Sequence, residues 1–367
     1  MKGMMKIMKK SILKIGAITM LSFFASISMV NAVSYKNYNG IEMTSEELNN
    51  LKSLGFTENQ IYNMDIDEFE SNKDLKGEVV AIDKKYLETT YIYEPVNDIN
   101  IMSYGADDLK NELDDSSKWR LKSTESKEIS EEEFNRKTAS NDNVLIVNDQ
   151  NPHSVSRDYR TLTTRIDKVG NTYRVKNDVS WYTIPKNRSY DLFGISTTAA
   201  VAEAVAGSQY AKQSWTIKDS CTQVETNNSE TYNKNHSNWR AKSGSYGISF
   251  KLPSNTTKTY SWRVGQSYPC KDGYNPPLQG QTTAYLNVTK MESYMYYDLT
   301  KHLPGAISAY GSYQHAQKNM TLNASLSFSI SRDGEGHLGG VFNLDPGYEE
   351  KYDKTPGTFA QILNPSW

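Results

Sequence analysis

The stretch that decides the fold lies between Leu162 and Trp181 and has the sequence LTTRIDKVGNTYRVKNDVSW. Polar and apolar residues alternate on both sides of Gly170-Asn171, a dipeptide that favours a tight turn between two strands. After the turn, large side chains occupy every second position, with Asn177 as the one exception: Tyr173, Val175, Val179 and Trp181. The pattern predicts a β-hairpin with one buried face.

Similar runs follow towards the C-terminus, separated by clusters of Asn, Ser, Gly and Pro. They are residues 246–250, 260–264, 285–291 and 322–330. Short strands at such spacing are typical of two packed antiparallel sheets, and about 210 residues are enough for one buried core. We therefore predict a mainly β protein in which residues 156–367 form an antiparallel β-sandwich domain.

The residues before this domain predict smaller units. Thr44, Thr57 and Asp65 are each followed three positions later by Glu or Gln, a pattern that begins helices, so residues 33–75 form a short helical segment. A short β segment is expected over 76–104. Residues 105–155 are acidic and polar with too few large apolar side chains for a core, which predicts a linker with one helical turn beginning at Ser130.

The first 32 residues predict export. Five lysines and no acidic residue precede an apolar stretch from Ile15 to Val30, and small residues end it at Ala32. This is the layout of a secretory signal peptide, cleaved after Ala32, and it places the protein outside the cell. A retained N-terminal membrane anchor is the alternative.

Charge is distributed unevenly along the rest of the chain. Residues 33–155 contain 13 Lys and Arg against 26 Asp and Glu, whereas residues 156–367 contain 23 against 17. This asymmetry fits an acidic arm that docks on a basic domain, a basic domain that meets an anionic surface, or two independently solvated faces.

Cys221 and Cys270 are the two cysteines of the chain. Disulfides persist in extracellular compartments, so we expect these two residues to form one bridge. Neither cysteine lies in a motif that lowers the pKa of a thiol, which argues against a nucleophilic role.

Three segments resemble secreted, β-rich proteins of Gram-positive bacteria that have no assigned activity. They are residues 51–57 with 61–64 and 72–75, residues 185–191 and residues 309–316. The resemblance covers about half of the chain and implies export and a β-rich body. It brings no catalytic residues and implies no mechanism.

Motifs for catalysis or for binding a metal or cofactor are absent from the sequence, so we expect no metal and no cofactor. The nearest cluster of possible ligands is Asp333-Gly334-Glu335-Gly336-His337, which a glycine-rich surface turn explains equally well. An extracellular hydrolase that uses His315 or a pair of carboxylates remains an alternative, because the partners need only meet in space.

Aromatic side chains provide the leading hypothesis, since the chain contains 25 Tyr and 6 Trp. Tyrosine combines a flat apolar face with a polar tip and suits surfaces that grip sugars or proteins. The candidate ligand-binding residues are Tyr294, Tyr296, Tyr297, Tyr310, Tyr313 and His315. They predict a secreted, non-enzymatic binding or adhesion protein acting at a cell surface, on a cell-wall polysaccharide, another glycan or a protein, and not on nucleic acid. Tyrosines that fill half-buried strand positions would give the same composition.

A β-pore-forming toxin is the second hypothesis. Residues 321–331 alternate small polar with apolar side chains, as a membrane-spanning strand does. A half-buried sandwich strand has the same pattern. Membrane contact is expected under this alternative alone.

Overall fold

The structure is a computed structural model that describes residues 35–95, 119–139, 154–185, 187–198, 201–233, 239–242, 245–271, 277–317, 326–332, 338–344, 352–353 and 355–367. The predicted signal peptide and the Asp333–His337 cluster lie outside these residues. Within them, no helix is both long enough and apolar enough to cross a membrane.

Strands dominate the described residues. The helices are α1 (Ser45–Ser53), α2 (Glu58–Tyr62), α3 (Ile66–Asn72) and α4 (Glu131–Ala139). The strands are β1 (Tyr35–Lys36), β2 (Glu42–Met43), β3 (Gly77–Pro95), β4 (Trp119–Ile129), β5 (Ser154–Val169), β6 (Thr172–Trp181), β7 (Tyr190–Thr197), β8 (Ala202–Ala204), β9 (Tyr210–Asp219), β10 (Glu225–Asn233), β11 (Trp239–Lys242), β12 (Ser245–Lys251), β13 (Thr256–Trp262), β14 (Gly280–Lys301), β15 (Ile307–Gln314), β16 (Leu326–Arg332), β17 (Leu338–Leu344) and β18 (Thr358–Ile362).

Two antiparallel sheets form the body. The main sheet has the order β10-β9-β14-β6-β5-β3-β4, with β8 and β13 also paired to β14, and the small sheet has the order β11-β12-β7-β15-β18. The predicted hairpin is β5–β6 at the centre of the main sheet. Gly170 closes its turn with a φ of 59°, a left-handed conformation that glycine adopts without strain.

The inner faces of the two sheets pack against each other. Residues at alternate positions fill the space between them, including Leu162, Ile166, Val175, Val179, Phe193, Ile195, Ile248, Phe250, Met291 and Met295. Burial of these side chains removes a large apolar area from water and is the main driving force for this packing. The prediction of a mainly β fold built as a sandwich is confirmed.

A helical unit, residues 35–76, lies on the outer face of the main sheet. Thr44, Thr57 and Asp65 each accept a hydrogen bond from the backbone N–H three residues later, so the three predicted helix starts are confirmed. Apolar side chains of the unit pack against Tyr294 and Tyr296 of β14. The molecule thus has three layers: helices, main sheet and small sheet.

The predicted linker differs most from the structure. Residues 119–129 form β4, which pairs with β3 in the main sheet, and β3 itself extends over 19 residues. Ser130 caps α4 as predicted, and Phe134 of that helix is buried. The sequence of β4 gives no strand signal because residues 122–128 are all charged or small and polar, a composition that suits the edge of a sheet rather than a core.

Two further predictions concern the C-terminal half. The disulfide is confirmed: Cys221 and Cys270 join the turn after β9 to the loop after β13. β16 takes up the second half of the alternating run and pairs with β17 in a separate two-stranded sheet.

Candidate functional site

Polar and aromatic side chains line the outer face of the main sheet beneath the helical unit. In the register of β9, β14 and β6, Tyr296 stands directly between Tyr210 and Lys176. One row along the same face, Arg174 stands opposite Asp298. Cross-strand neighbours are about 5 Å apart, so these side chains form one continuous surface.

The helical unit covers part of this surface with polar contacts. The Glu68 carboxyl group accepts a hydrogen bond of 2.7 Å from the Tyr294 hydroxyl and lies 3.5 Å from the Lys212 ammonium group. Lys212 also donates to Asp65, at 2.9 Å. Burial raises the pKa of Glu68 to about 7, since Lys212 and Tyr294 offset only part of the loss of hydration.

A cleft opens where the helical unit stops covering the main sheet, beyond the C-terminus of α3. Its volume is about 360 Å³. The residues that line it come from α3 and the turn after it, from β6 and β14, and from the β8–β9 loop with the first residue of β9: Ser71, Asn72, Leu75, Arg174, Gly207, Ser208, Gln209, Tyr210, Tyr296 and Asp298. This volume lies within the range of small-molecule sites in proteins.

Arg174 and Asp298 are the charged residues among those that line the cleft, and they neutralise each other. The Arg174 guanidinium donates to both Asp298 carboxylate oxygens, at 2.7 and 3.3 Å, and lies 4.5 Å from the centre of the Tyr296 ring. Burial alone would lower the pKa of Arg174, but these bonds to Asp298 outweigh it and raise the pKa. The cleft is therefore polar, aromatic and without net charge.

Asn72 connects α3 to the floor of the cleft. Its amide nitrogen donates to the Tyr296 hydroxyl at 3.0 Å, and its amide oxygen accepts from Arg174. Tyr210 stacks beside Tyr296 with ring centres 5.2 Å apart and an interplanar angle of 22°. The polar groups of Asn72, Arg174 and Tyr296 are thus held by neighbours, which fixes the shape of the floor before any ligand arrives.

The structure separates the six residues predicted to bind a ligand. Tyr294 lies under the helical unit, Tyr296 lies at the cleft, and Tyr297 points to the opposite face of β14, into the core. Tyr310 is half-buried beside Phe359. Tyr313 and His315 are buried between the sheets. Tyr296 is the one member of the six that lines the cleft.

Sequence reasoning missed Arg174, Gln209, Tyr210 and Asp298. A signal for one of them was present, because β6 alternates Val175 and Val179 with Arg174, Lys176 and Asp178. This pattern shows a polar second face, but Arg174 and Lys176 are buried. The pattern alone does not reveal that a helical unit more than 100 residues earlier covers that face.

Tyr313 and His315 belong to a second polar cluster, between the sheets. Asp191 accepts from the Tyr313 hydroxyl and lies 3.0 Å from Nδ1 of His315. Trp181 donates to the Tyr313 hydroxyl at 3.1 Å. Burial would lower the pKa of His315, but the Asp191 carboxylate outweighs it and raises the pKa.

The space beside His315 is small. A cavity of about 10 Å³ lies next to its ring and is also lined by Tyr91, Ser156 and Asp158. That volume holds about one water molecule and no glycan or peptide. Nε2 of His315 has no hydrogen-bond partner, which fits a bridging water. Burial raises the pKa of Asp158 to about 6.

Within the described ranges, no three or more His, Cys, Asp or Glu residues are grouped to hold a metal ion.

Comparisons with known proteins give little further information. No protein-family model and no curated protein sequence matches the chain. The C-terminal domain of the AgI/II polypeptide BspA of Streptococcus agalactiae is similar over 75% of this chain and 84% of that domain, with 6% identity and a TM-score of 0.20. The C-terminal domain of the antigen I/II-family protein AspA of Streptococcus pyogenes has 7% identity over 75% and 84% of the two chains, with a TM-score of 0.19. Clostridium perfringens delta-toxin has 8% identity over 59% and 85%, with a TM-score of 0.15. TM-scores this low carry no argument about fold or function.

Proposed function

We propose that this protein is a secreted, non-enzymatic binding protein, and that the cleft beyond α3 binds a neutral, hydroxyl-rich ligand such as one or two sugar units of an extracellular glycan. The observation that carries the proposal is the composition of the cleft. It joins the half-buried Tyr210 ring to the partly exposed Asp298 carboxylate, whose charge Arg174 neutralises, and to the exposed Ser71 at the rim.

Each part of that composition suits a sugar. The Tyr210 ring can offer an apolar face to the C–H groups of a pyranose ring, and fixed polar groups at the rim can pair with its hydroxyls. A site with no net charge gives an ionic ligand no advantage over a neutral one. Secretion is supported by the predicted signal peptide and by the Cys221–Cys270 bridge, which is stable outside the cytosol.

Calorimetric titration with a panel of neutral mono- and disaccharides tests the proposal. Ser71→Trp adds a bulky side chain at the rim of the cleft and should weaken binding at least about tenfold. Glu70→Trp changes the neighbouring exposed position of α3, which does not line the cleft, and is the matched control. Asp298→Asn leaves Arg174 without its counter-charge and should shift the preference towards acidic sugars. If the two tryptophan variants had equal affinity for every sugar, the cleft would not be the binding site.

A further inference from the structure

The end of the molecule that carries the disulfide is a projecting arm, made of residues 256–271 and 277–285. Residues 280–284 of β14 pair with β13 alone, since β9 begins to pair at Leu286 and Tyr285 is bonded to Ser220 in the turn after β9. Five residues of strand extend about 17 Å, so the hairpin projects beyond the end of β9 by this length.

The arm is firmly held at its base. Cys270 is bonded to Cys221, and the Lys271 backbone N–H donates to the Cys221 carbonyl at 2.7 Å. The Trp262 indole N–H donates to the Pro277 carbonyl at 2.9 Å, which ties the two sides of the hairpin together. The position of its tip is therefore defined by the fold.

The tip exposes two aliphatic side chains that serve no packing role. Leu278 is 77% exposed, more than any other large apolar residue described, and Val264 is 66% exposed. The Gln266 backbone N–H donates to the Arg263 carbonyl at 2.9 Å and Gly265 has a φ of 86°, so residues 263–266 form a β-turn with Val264 at its outer corner. A side chain at that corner points away from the hairpin.

The arm carries an excess of positive charge. Arg263 is exposed and directly precedes Val264, and Lys258 and Lys271 are exposed closer to the base. Residues 256–285 contain these three basic residues and one acidic residue, Asp272, which gives a net charge of +2. A convex tip with apolar side chains and cations matches the chemistry of an anionic bilayer surface, where apolar groups enter the headgroup boundary and Lys and Arg meet lipid phosphates. A protein partner would more often require a broad, flat or concave patch.

We infer that the arm is a peripheral membrane-docking element, which seats Val264 and Leu278 at the headgroup boundary of an anionic bilayer while the body of the protein stays outside it. The contact is independent of the cleft beyond α3. It needs no part of the chain to cross the bilayer.

Co-sedimentation of the full-length mature protein with vesicles tests this inference. Vesicles of phosphatidylcholine with 30% phosphatidylglycerol, on the order of the anionic content of natural membranes, should bind the protein, and pure phosphatidylcholine vesicles should not. Val264→Ser with Leu278→Ser should reduce partitioning at least about tenfold, and Arg263→Gln should reduce it about fivefold.

Matched controls are available elsewhere on the surface. Leu363→Ser changes an aliphatic side chain that is 68% exposed, and Lys301→Gln changes an exposed cation at the opposite end of β14. Both should partition like the wild type. Far-UV circular dichroism of each variant checks the fold, which substitutions at exposed positions should not alter.

Three outcomes would overturn the inference. The first is the absence of binding to anionic vesicles at low salt. The second is binding that the Val264 and Leu278 substitutions leave unchanged. The third is binding to a soluble polyanion such as dextran sulfate as tightly as to anionic vesicles and with no effect of the apolar substitutions, because the arm would then bind anionic polysaccharide.

Discussion

Glu68 is a carboxyl group buried between α3 and the main sheet, and its pKa is raised from 4.5 to about 7. The folded protein therefore binds this proton more tightly than the unfolded chain does. The stabilisation is complete below about pH 4.5 and is lost as the pH rises through 7. A rise of this size in the pKa of Glu68 corresponds to an effect on the order of 3 kcal/mol on the free energy of unfolding.

Glu68→Gln should remove this pH dependence, because glutamine imitates the protonated carboxyl group and cannot ionise. In urea unfolding experiments the difference in unfolding free energy between pH 5 and pH 8 should be on the order of 3 kcal/mol smaller in the variant than in the wild type. Glu132→Gln, at an exposed position of α4, should leave the difference unchanged. If the unfolding free energies of the wild type and of Glu68→Gln changed equally with pH, Glu68 would not be the group responsible for the pH dependence.

Arg160 and Asp353 form a fully buried ion pair between the sheets, with a nitrogen–oxygen distance of 2.5 Å. Arg160→Met would leave the Asp353 carboxylate without its counter-charge in the core. We expect a loss of about 3–5 kcal/mol in unfolding free energy.

The double variant Arg160→Met with Asp353→Asn should recover part of this loss, because it removes both charges together. Arg120→Met breaks the exposed pair with Glu94 and should cost at most about 1 kcal/mol. Chemical denaturation of the four proteins measures all of these values. Equal costs for the two single variants would show that burial does not control the strength of these pairs.

At the scale of elements, the disulfide connects the β9–β10 turn to the loop of the arm across 49 residues of sequence. Closing a loop of this length should contribute about 4 kcal/mol, mainly by restricting the unfolded chain. Cys221→Ser with Cys270→Ser should therefore lower the midpoint of thermal unfolding, measured by circular dichroism. The same decrease is expected for the wild type under a reducing agent, and a variant as stable as the oxidised wild type would contradict the entropic account.

Elements with strong local signals were predictable from the sequence. The β5–β6 hairpin follows from the alternation of apolar and polar residues around Gly170-Asn171, and the three helix starts follow from capping residues three positions apart. Both signals involve residues close in sequence, where the backbone geometry itself fixes which side chains meet. β4 gave no such signal because it contributes little to the apolar core.

The candidate site was less accessible to sequence reasoning. The period of two in a strand already places Tyr296 and Tyr297 on opposite faces, so dense tyrosines in one strand do not form one surface. The cleft also depends on contacts between distant residues, since Asn72 binds Arg174 and Tyr296 across 102 and 224 residues. No local pattern encodes the docking of the helical unit that brings these groups together.

At the scale of the whole molecule, several buried acids and one histidine share the same direction of pKa shift. The pKa of Glu68 is raised to about 7 and that of Asp158 to about 6, mainly by burial. The pKa of His315 is also raised, because attraction to Asp191 exceeds the effect of burial. For all three groups the folded state binds the proton more tightly than the unfolded chain does. Each group therefore contributes most to the free energy of unfolding when the pH is below the pKa that the group has in the unfolded chain.

Other carboxyl groups determine the pH below which acid destabilises the protein. Asp65 and Glu88 have lowered pKa values, because Lys212 and Lys137 outweigh the effect of burial. Their contribution is present above the unfolded pKa and is lost only as the pH falls below about 4. Maximal stability is therefore expected near pH 4–5, just below the range of about pH 5–8 in which most proteins are most stable.

Stability should consequently decrease as the pH rises from about 4.5 to 8, by on the order of 3–6 kcal/mol if Glu68 and Asp158 act independently. This change is a large fraction of the 5–15 kcal/mol that is typical of a folded domain, because the three layers are joined by buried ionisable groups rather than by apolar contacts alone. Urea unfolding at pH 4.5, 6 and 8 measures the decrease, and Glu68→Gln combined with Asp158→Asn should flatten it. A wild-type protein that is more stable at pH 8 than at pH 4.5 would show that other ionisable groups control the packing of the layers.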